Sequence, residues 1–497
     1  MYIKKNIEYL LVFTILMVIS FAFYGDFLYL NPRYNHFWAQ SDRMCLALGF
    51  VENGLNFFKP QICNLGTSDG TIGVEFPILY YISAVFMKLF NSESPFFVRF
   101  FSLLSSIIGL CYIYNISRIY GVSIFGSFSI IIMIFFSPIF FFYQANFNPN
   151  HLAFGLSAIA LNQLYKYYRN QQFDFLLIFH LFGVLASLVK TSYGLYYISG
   201  NIFIYFTSKY ENKEILYKIL LNVTGFLIIL FYFIYNQYLY RIYGSMFLME
   251  TAAFDNIFQF IWESGQILSF WLTEMLFLWQ WLLIILLFLF IGVHSGLKLS
   301  RNKFIISISI IAGSFSVFYL MGKQYRVHDY YIIDIFYLPM LLLMILLLRK
   351  FELIVKNKIV LTNIAIIVCV FSAISGNIFF ENRKILRMDN RSDFISVDFE
   401  GGNKILDSLK ISKKEKLIVF DGFCPDGILL LLRRKGITTN SLDSIEILNW
   451  HKKGFNYLIL ENLTIINYPP CIEQLKPISN LYYKNDKFSI YKLNFNL

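Results

Sequence analysis

The chain has 497 residues, of which 57% are hydrophobic and only 15% are charged, whereas soluble domains carry about 25% charged residues. The composition therefore excludes an ordinary soluble domain and predicts a polytopic α-helical membrane protein. The net charge of +11 does not indicate a nucleic-acid partner. Lysines and arginines stand in short runs between apolar segments, where the positive-inside rule accounts for them.

Eleven apolar runs have about the length of a membrane-spanning helix, which needs roughly 20 residues. They cover 7–25, 97–116, 122–143, 151–167, 174–189, 192–207, 216–235, 266–291, 304–321, 331–348 and 358–379. The first follows Lys4 and Lys5 and lacks a cleavage site, so it predicts a retained helix rather than a signal peptide. Another apolar segment, 77–90, is short and opens on Pro77. It predicts an interfacial amphipathic helix.

The distribution of charge predicts the orientation in the membrane. With 77–90 kept out of the membrane, basic connections such as "SRIYG" and "HSGLKLSRNK" fall on the same side as the N-terminal lysines. The positive-inside rule then places the N-terminus in the cytoplasm and the C-terminus outside. We predict a membrane domain over 1–392, with 26–96 as its first outer loop, and a small extracytoplasmic α/β domain over 393–497. In that last segment short β-type runs alternate with helical ones.

Two pairs of cysteines fall in the predicted outer regions. Cys45 and Cys63 share the first outer loop, and Cys424 and Cys471 share the C-terminal domain. Because that compartment is oxidising, disulfides Cys45–Cys63 and Cys424–Cys471 are a hypothesis. No CxxC or HxxxH spacing occurs, so we predict neither a metal site nor a cofactor.

Asp42 lies in "NPRYNHFWAQSDRMCLALGF", a short distance beyond the first apolar run. A carboxylate at the edge of a bilayer is a candidate functional residue. The alternatives are a solvated helix cap and an ion pair with Arg43. A second acid, Glu75, directly precedes the Phe-Pro that opens the interfacial helix, where a carboxylate can also favour the helix N-terminus.

Cations stand at three predicted outer helix ends. They are Arg99, Lys190 and the cluster Lys323, Arg326 and His328. The positive-inside rule disfavours cations on this face, so we expect each to have a partner, for which a lipid phosphate is suited. For any single residue, snorkelling to ordinary headgroups is the competing explanation.

The segment "YQANFNPNHLAFGL" adds Asn148 and His151 at the outer end of another apolar run. Its simplest interpretation is a turn that caps the next helix.

The order of several segments resembles glycosyltransferase family 39, membrane enzymes of the GT-C fold. The segments are "FWAQSDRMCLALGFVENGLNFFKP", "EFPILYYISAVFMKLF", "FFVRFFSLLSSIIGLCYIYNISRIYG", "LVKTSYG" and "HDYYIIDIFYLP". The family is related to the dolichyl-phosphate-mannose protein mannosyltransferases and the bacterial aminoarabinose lipid A transferases. The resemblance implies transfer of a sugar from a polyprenyl-phosphate donor to a lipid, glycan or protein acceptor of the cell envelope. It also implies a location in a bacterial inner membrane, with the reaction on its outer face.

The resemblance also implies roles for individual residues. Asp42 matches the catalytic acid of the family's first outer loop, where an inverting transfer needs a carboxylate to take the acceptor's proton. Cations that stabilise the donor phosphate are expected among Lys190, Arg326, His328 and Arg99. Further substrate-site candidates are Arg43, Glu75, Asn148 and His151.

Other function classes stay open. A flippase for lipid-linked oligosaccharides, or an O-antigen ligase or polymerase, usually places its key residues in a large late loop or in a charged central cavity. Here the longest outer loop near the membrane is the first, which favours the transferase. The second acid that many GT-C enzymes carry is absent from "ANFNPNHL", which leaves a scaffold for partners as a third possibility.

Overall fold

The computed structural model describes residues 2–66, 68–207, 212–244, 252–295, 301–386, 395, 397–420, 424–467 and 470–494. The chain divides into two compact units. The helical unit comprises Met1–Leu28, Arg99–Tyr235 and Leu248–Asn382, and the mixed unit comprises Tyr29–Val98, Asn236–Phe247 and Arg383–Leu497. The first outer loop and the C-terminal segment thus belong to the same unit. The division into 1–392 and 393–497 stays a prediction.

The apolar runs of the sequence form helices, most of them long, since a helix satisfies its own backbone hydrogen bonds. These are Tyr2–Tyr24, Phe96–Ile119, Ile124–Phe135, Pro138–Tyr143, Asn150–Asn170, Phe173–Val189, Gly194–Thr207, Asn212–Tyr243, Ile257–Met275, Leu278–Ser295, Arg301–Leu320, Tyr337–Ile354 and Lys358–Leu386. Short helical segments lie between them at Phe27–Tyr29, Thr191–Tyr193, Gly322–Tyr325, Asp329–Tyr331 and Ile332–Ile335.

Three predicted spans are broken in the described part of the helical unit, one of them, 331–348, by a 48° bend between Ile335 and Tyr337. The run 122–143 breaks before Pro138, which lacks the N–H that a continuous helix would use. The single helix predicted over 266–291 is wrong, because two helices meet there at 97°. Leu276 is extended at the junction, and the Gln280 side chain accepts a hydrogen bond from the Phe277 N–H at 3.0 Å.

Several helices of the described segments can cross a membrane by length and composition. Four do so individually: Ile7–Tyr24, Phe96–Ile119, Ile215–Tyr243 and Lys358–Arg383. Each of two bent pairs, Ile257–Met275 with Leu278–His294 and Asp329–Ile335 with Tyr337–Ile354, adds one span if the pair crosses together. The polytopic helical architecture is therefore confirmed, while the count of eleven spans stays a prediction.

The mixed unit contains the small α/β domain predicted near the C-terminus. Its strands are β1 (Lys416–Phe420), β2 (Gly436–Thr439), β3 (Phe455–Glu461), β4 (Ser479–Lys484) and β5 (Phe488–Leu493). They form one sheet in the order β2-β1-β3-β5-β4, in which β1 pairs in parallel with β2 and β3, and β5 pairs antiparallel with β3 and β4. Helices of this segment are Gly402–Ser408, Gly427–Leu432, Ser444–Lys452, Asn462–Asn467 and Pro470–Leu475.

The first outer loop is bonded to the edge of this sheet. The Leu65 N–H donates to the Gly436 carbonyl at 2.7 Å, and the Gly436 N–H donates to the Cys63 carbonyl at 3.1 Å. Leu65 also packs into the apolar core of the domain beside Ile418 and Ile437. The loop therefore forms a single β-bridge to β2 at Asn64 and Gly436, and burial of its own apolar side chain stabilises the attachment.

Two helices of the first outer loop pack on each other. We call Phe37–Glu52 the loop helix; it contacts the helix Ile78–Leu89. The second helix follows Pro77 and leaves Leu89 exposed. The helix predicted over 77–90 is thus present, and its interfacial location stays a prediction.

The loop helix is held very close to the segment that follows it. Its Gly49 approaches Gln61 so closely that an added Cβ would lie 2.0 Å from the Gln61 carbonyl oxygen. Cys45, one turn earlier, forms a disulfide with Cys63, which confirms that half of the disulfide hypothesis. The side chain of Cys471 lies outside the described residues, so the Cys424–Cys471 bridge stays a hypothesis.

We predict opposite effects for alanine at two helical glycines. Gly49→Ala places a methyl group against backbone and should destabilise the protein by about 1–3 kcal/mol. Gly265→Ala, in helix Ile257–Met275, meets nothing within 4 Å and should be neutral or stabilising by up to about 1 kcal/mol. Thermal unfolding of both variants in detergent tests this. Equal melting temperatures would contradict the close approach at Gly49.

Candidate functional site

Asp42 is a buried residue of the mixed unit. It stands on the loop helix and is only 3% exposed. The loop helix packs against the helix Gly427–Leu432 of the C-terminal segment, where an added Cβ on Gly427 would lie 2.5 Å from the Phe37 ring. This contact brings the Asp42 carboxyl to a second carboxyl, that of Asp426.

Asp426 directly precedes the helix Gly427–Leu432 and is fully buried. One of its oxygens accepts a hydrogen bond from the Asn64 backbone N–H at 2.7 Å. Asp426 is not among the site residues predicted from the sequence. The available signal was an acid followed by the apolar run "GILLLL", but only the fold shows that it faces the first outer loop.

The pairing of the two acids changes their proton affinity. Burial raises the pKa of Asp42 well above its usual range, and the negative charge of Asp426 adds to this, while Arg43 acts in the opposite direction. Burial also raises the pKa of Asp426, to about 6, although hydrogen bonds from the Asn64 backbone, the Asp42 side chain and the Cys63 backbone oppose the rise. Two close buried carboxyls cannot both ionise cheaply.

Arg43 and Glu75, both substrate-site candidates, lie beside Asp42. The Arg43 guanidinium donates to the Glu75 carboxylate at 3.0 Å. Both charges also act on the buried hydroxyl of Tyr80, in opposite directions. An ion pair between Asp42 and Arg43 was one interpretation of the sequence. In the structure Arg43 pairs with Glu75, and the Asp42 carboxyl interacts with that of Asp426.

The disulfide borders the same place. The sulfurs of Cys45 and Cys63 and a carboxylate oxygen of Asp426 all lie within 4.8 Å of one another. In the disulfide neither sulfur is a thiolate, which is the form that binds metals. The predicted absence of a metal or cofactor stays a prediction.

The helical unit holds Lys190, another predicted site residue. Lys190 ends the helix Phe173–Val189 and is almost fully buried. Its ammonium lies 4.5 Å from the centre of the Tyr331 ring, a cation–π geometry. The half-buried His328 lies near the same ring, with the two ring centres 5.7 Å apart. Tyr331 therefore brings these two predicted residues together.

Asp334 is a further buried acid of the helical unit, and it contacts Ser192, two residues after Lys190. It is not among the site residues predicted from the sequence. Asp334 is fully buried and accepts hydrogen bonds from the Asn150 amide and the Ser192 hydroxyl, each at 2.7 Å. The Tyr196 hydroxyl donates to the Asp334 carbonyl at 2.6 Å. The acid lies inside an apolar predicted span, 331–348, where its polar partners offset the cost of burial.

The remaining predicted residues of the helical unit are more dispersed. Arg99 is fully buried, with its guanidinium 4.3 Å from the centres of both the Phe27 and Phe147 rings, and it donates to the Ala145 carbonyl at 2.8 Å. Its charge is thus satisfied by packing within the unit. Arg326 is exposed.

Asn148 and His151 are both buried, and the His151 ring lies 4.7 Å from the Phe140 ring. This location agrees with a packed helix start, and their predicted substrate contacts stay predictions.

Residues 75–240, which are 166 of the 497, match a family model described as dolichyl-phosphate-mannose-protein mannosyltransferase. Among solved structures, ArnT from Cupriavidus metallidurans in the apo state is similar over 96% of this chain and 97% of that one, with a TM-score of 0.55 and 12% identity. The oligosaccharyltransferase of Archaeoglobus fulgidus is similar over 97% of this chain and 72% of that one, with a TM-score of 0.53 and 11% identity. No curated protein matches the chain.

These similarities agree with the resemblance to GT-C glycosyltransferases that the sequence motifs indicate. The structural neighbours span nearly the whole chain, so the GT-C fold is confirmed. The family match, which depends on the sequence and not on the structure, supports the same resemblance. Together they confirm the predicted class of enzyme, a membrane glycosyltransferase.

We predict that the Cys45–Cys63 disulfide stabilises the region around Asp42. Replacing both cysteines by serine removes a cross-link with a sequence separation of 18, which should cost about 3 kcal/mol. Thermal unfolding with and without reductant tests this: the parent protein should melt lower with reductant, and the double variant should not respond. The control Cys369→Ser, at a thiol outside any described disulfide, should keep the response. A parent protein indifferent to reductant would contradict the prediction.

Proposed function

We propose that this protein transfers a sugar from a polyprenyl-phosphate donor to a cell-envelope acceptor, with Asp42 as the base. The observation that carries the proposal is the buried Asp42 carboxyl with its raised pKa, on a chain with the GT-C fold. The match to the mannosyltransferase family supports a donor linked to a polyprenyl lipid. The acceptor class, lipid, glycan or protein, is not specified by these observations.

The raised pKa of Asp42 suits the proposed role. A general base works best when the pKa of its conjugate acid lies near the working pH. An ordinary aspartate is too weak a base to take a proton efficiently from a hydroxyl at neutral pH. Burial on the loop helix strengthens Asp42 as a base, although the positive charge of Arg43 acts in the opposite direction.

The proposed reaction balances without a further reactant. An acceptor oxygen attacks C1 of the sugar while Asp42 takes the proton of that hydroxyl. The bond between C1 and the phosphate oxygen breaks, and its electron pair goes to the phosphate. Attack from the face opposite the leaving group inverts the configuration at C1.

The leaving phosphate is anionic, so it needs cations more than it needs a proton. Lys190 is our first candidate for this role, because it is buried and its ammonium is held over the Tyr331 ring. His328 borders the same ring. The exposed Arg326 is a third candidate. Arg99, with its guanidinium packed between two rings, is not part of this proposal.

The location follows from the charge distribution. We propose that the protein lies in a bacterial inner membrane with its N-terminus in the cytoplasm, and that the first outer loop and the sheet are extracytoplasmic. Basic loops on one side and a disulfide in the first outer loop support this, because disulfides persist in oxidising compartments.

We predict that Asp42→Asn abolishes transfer, since the amide cannot accept the acceptor's proton. Purified protein in nanodiscs is given a panel of polyprenyl-phosphate sugars and a crude envelope fraction, and release of polyprenyl phosphate is measured. The loss should exceed about 100-fold, the lower end of what a general base contributes. The control Asp26→Asn changes an exposed acid in the same predicted loop and should be fully active. Full activity of Asp42→Asn would rule out this mechanism.

We predict that Lys190→Gln weakens the use of donor. Loss of a charge-assisted contact to phosphate should lower kcat/KM for the donor by roughly 10-fold or more. The control Lys323→Gln removes an exposed cation that pairs with Asp255 at 2.7 Å and should change kcat/KM little. Equal effects of the two substitutions would indicate that Lys190 has no special contact with the donor.

A further inference from the structure

A large apolar cavity lies within the helical unit. Its volume is about 540 Å³, within the range of roughly 300–1,000 Å³ that is usual for ligand pockets. Four helices form its walls: Ile124–Phe135, Leu278–Ser295, Tyr337–Ile354 and Lys358–Leu386. None of the residues assigned to the proposed reaction is among the described residues that line it.

The wall of the cavity is almost entirely hydrocarbon. Of the described lining residues only Ser129, His294 and Glu352 have polar side chains, and each has a hydrogen-bond partner inside the protein. The Ser129 hydroxyl donates to the Gly126 carbonyl at 2.9 Å. The Glu352 carboxylate accepts from the Ser123 N–H and hydroxyl, and His294 Nδ1 lies 2.9 Å from a carbonyl oxygen of its own helix. Such a wall binds water poorly, since a buried water needs about two to four polar partners.

The cavity lies towards one end of the helices that surround it. It is lined by 344–352, towards the C-terminal end of Tyr337–Ile354, and by 361–368, towards the N-terminal end of Lys358–Leu386. Both sets of residues are therefore close to the short connection between these two helices. That connection belongs to the basic segment "RKFELIVKNK", which the proposed orientation places in the cytoplasm. The cavity is thus in the cytoplasmic half of the membrane.

The cavity extends from the outer surface of the helical unit into its interior. Leu289 and Val293 line it and are 57% and 82% exposed. They belong to Leu278–His294, one member of a bent pair that can cross a membrane, so we expect these apolar side chains to face the hydrocarbon of the bilayer. Met133 and Met344 also line the cavity but are only 1% and 8% exposed. A hydrocarbon chain can therefore enter from the bilayer and reach buried side chains.

We propose that this cavity binds one acyl chain of an anionic phospholipid from the cytoplasmic leaflet. A methylene group is about the size of a water molecule, which takes about 30 Å³ in the liquid, so the cavity has room for roughly 18 methylene groups. This is about the length of one phospholipid acyl chain. The proposal goes beyond the proposed transfer reaction and does not depend on it, since a protein of the membrane meets such lipids whatever its activity.

The charges beside the cavity favour an anionic headgroup. The segment 349–358 contains four cations and one acid, Glu352. That acid is already bonded to Ser123 at the start of the helix Ile124–Phe135, where the helix N-terminus favours a negative charge. Lys356 and Lys358 of the same segment are exposed. Basic segments at the cytoplasmic surface attract anionic lipids, so a headgroup phosphate beside these lysines is favoured while its chain lies in the cavity.

A bound chain should also stabilise the helical unit. Side chains that line an empty cavity lack partner atoms on one side and lose dispersion contacts. An acyl chain supplies those contacts, and it does so only while the four helices are folded around it. A ligand that binds the folded state alone raises the stability of that state as its concentration rises. The melting temperature should therefore increase with added phospholipid.

The first experiment maps where a lipid chain contacts the protein. The full chain is reconstituted in nanodiscs with phosphatidylglycerol that carries a diazirine on one acyl chain, the sample is irradiated, and the labelled residues are located by mass spectrometry. We expect label on Met133 and Met344, which line the cavity and are too buried for the surrounding lipid to reach. Label confined to exposed residues such as Leu289 would overturn the proposal, because it would show only lipid that surrounds the protein.

The second experiment fills the cavity with a side chain. Ala365 lines the cavity and is buried, so Ala365→Trp should lower the label on both methionines by about 10-fold or more, since each methylene that can no longer enter loses its apolar burial. The matched control Ile367→Trp changes an exposed residue of the same helix that is not among the described lining residues. It should be labelled like the parent protein. Equal labelling of the two variants would contradict the proposal.

Thermal unfolding of the same proteins gives an independent measurement. With added phosphatidylglycerol the parent protein and Ile367→Trp should melt at a higher temperature, whereas Ala365→Trp should not respond. If Ala365→Trp does not fold, Ser129→Leu fills the cavity from another helix and takes its place. A parent protein whose melting is indifferent to the lipid would contradict the stabilising role.

Competition against the label identifies the lipid. Excess unlabelled phosphatidylglycerol should displace the label from Met133 and Met344, and phosphatidylethanolamine with the same chains should do so less well. Equal competition by the two lipids would overturn the choice of an anionic headgroup. Stronger competition by polyprenyl phosphate would overturn the proposal in favour of the chain of the sugar donor. None of these measurements uses activity, so they stand or fall separately from the proposed transfer reaction.

Discussion

The mixed unit depends on one close contact, the attachment of the loop helix to the backbone of residues 61–64. Gly49 permits the approach, and the Cys45–Cys63 disulfide fastens it. The same stretch of backbone is bonded to Gly436 at the edge of the sheet. A short segment of the first loop therefore contacts the loop helix on one side and β2 on the other. It therefore supports the packing of the helix that carries Asp42 against the helix that follows Asp426.

This attachment explains how a loop of this length can hold the Asp42 carboxyl in a fixed position. Long loops without structure pay a large conformational entropy, and their side chains are poorly positioned. Here the loop forms two helices, a disulfide and a bond to the sheet. Its polar residues are consequently fixed to a degree that is usual for the interior of a domain.

In the helical unit the constraint is a different one. Its buried polar groups are surrounded by apolar side chains and need partners inside the unit. Asp334 is surrounded by the Asn150 amide and the Ser192 hydroxyl. The Arg99 guanidinium uses two aromatic faces and one carbonyl. These groups are costly to bury without partners, so the buried Asn150 amide is explained by the Asp334 carboxylate to which it donates.

The sequence predicted the helices well, because long apolar runs admit few other structures. It also predicted the loop disulfide, the helix after Pro77 and the C-terminal α/β segment. It failed at the bend between Met275 and Leu278, where neither proline nor glycine marks the break. Asp334 was hidden for a related reason, since one acid in an apolar run gives no sign of its partners.

The pairing of Asp42 with Asp426 could not have been predicted, because it joins residues 384 positions apart through contacts that have no pattern in the sequence. Local sequence offered Arg43 as the natural partner of Asp42. The helix geometry instead directs these adjacent side chains differently, since neighbouring residues on a helix point about 100° apart. Arg43 therefore reaches Glu75, while Asp42 reaches Asp426.

The pair has a physical cost that a purely structural role would not explain. Two buried carboxyls destabilise the fold as the pH rises, and an apolar pair of similar size would pack there without that loss. Residues that lower stability in this way are typical of functional sites, where the perturbed proton affinity is itself useful. The disulfide, the close contact at Gly49 and the bond to β2 are all found around this pair. Several stabilising contacts of the mixed unit thus lie near an unfavourable electrostatic contact, which is the arrangement expected if that contact is retained for its chemistry.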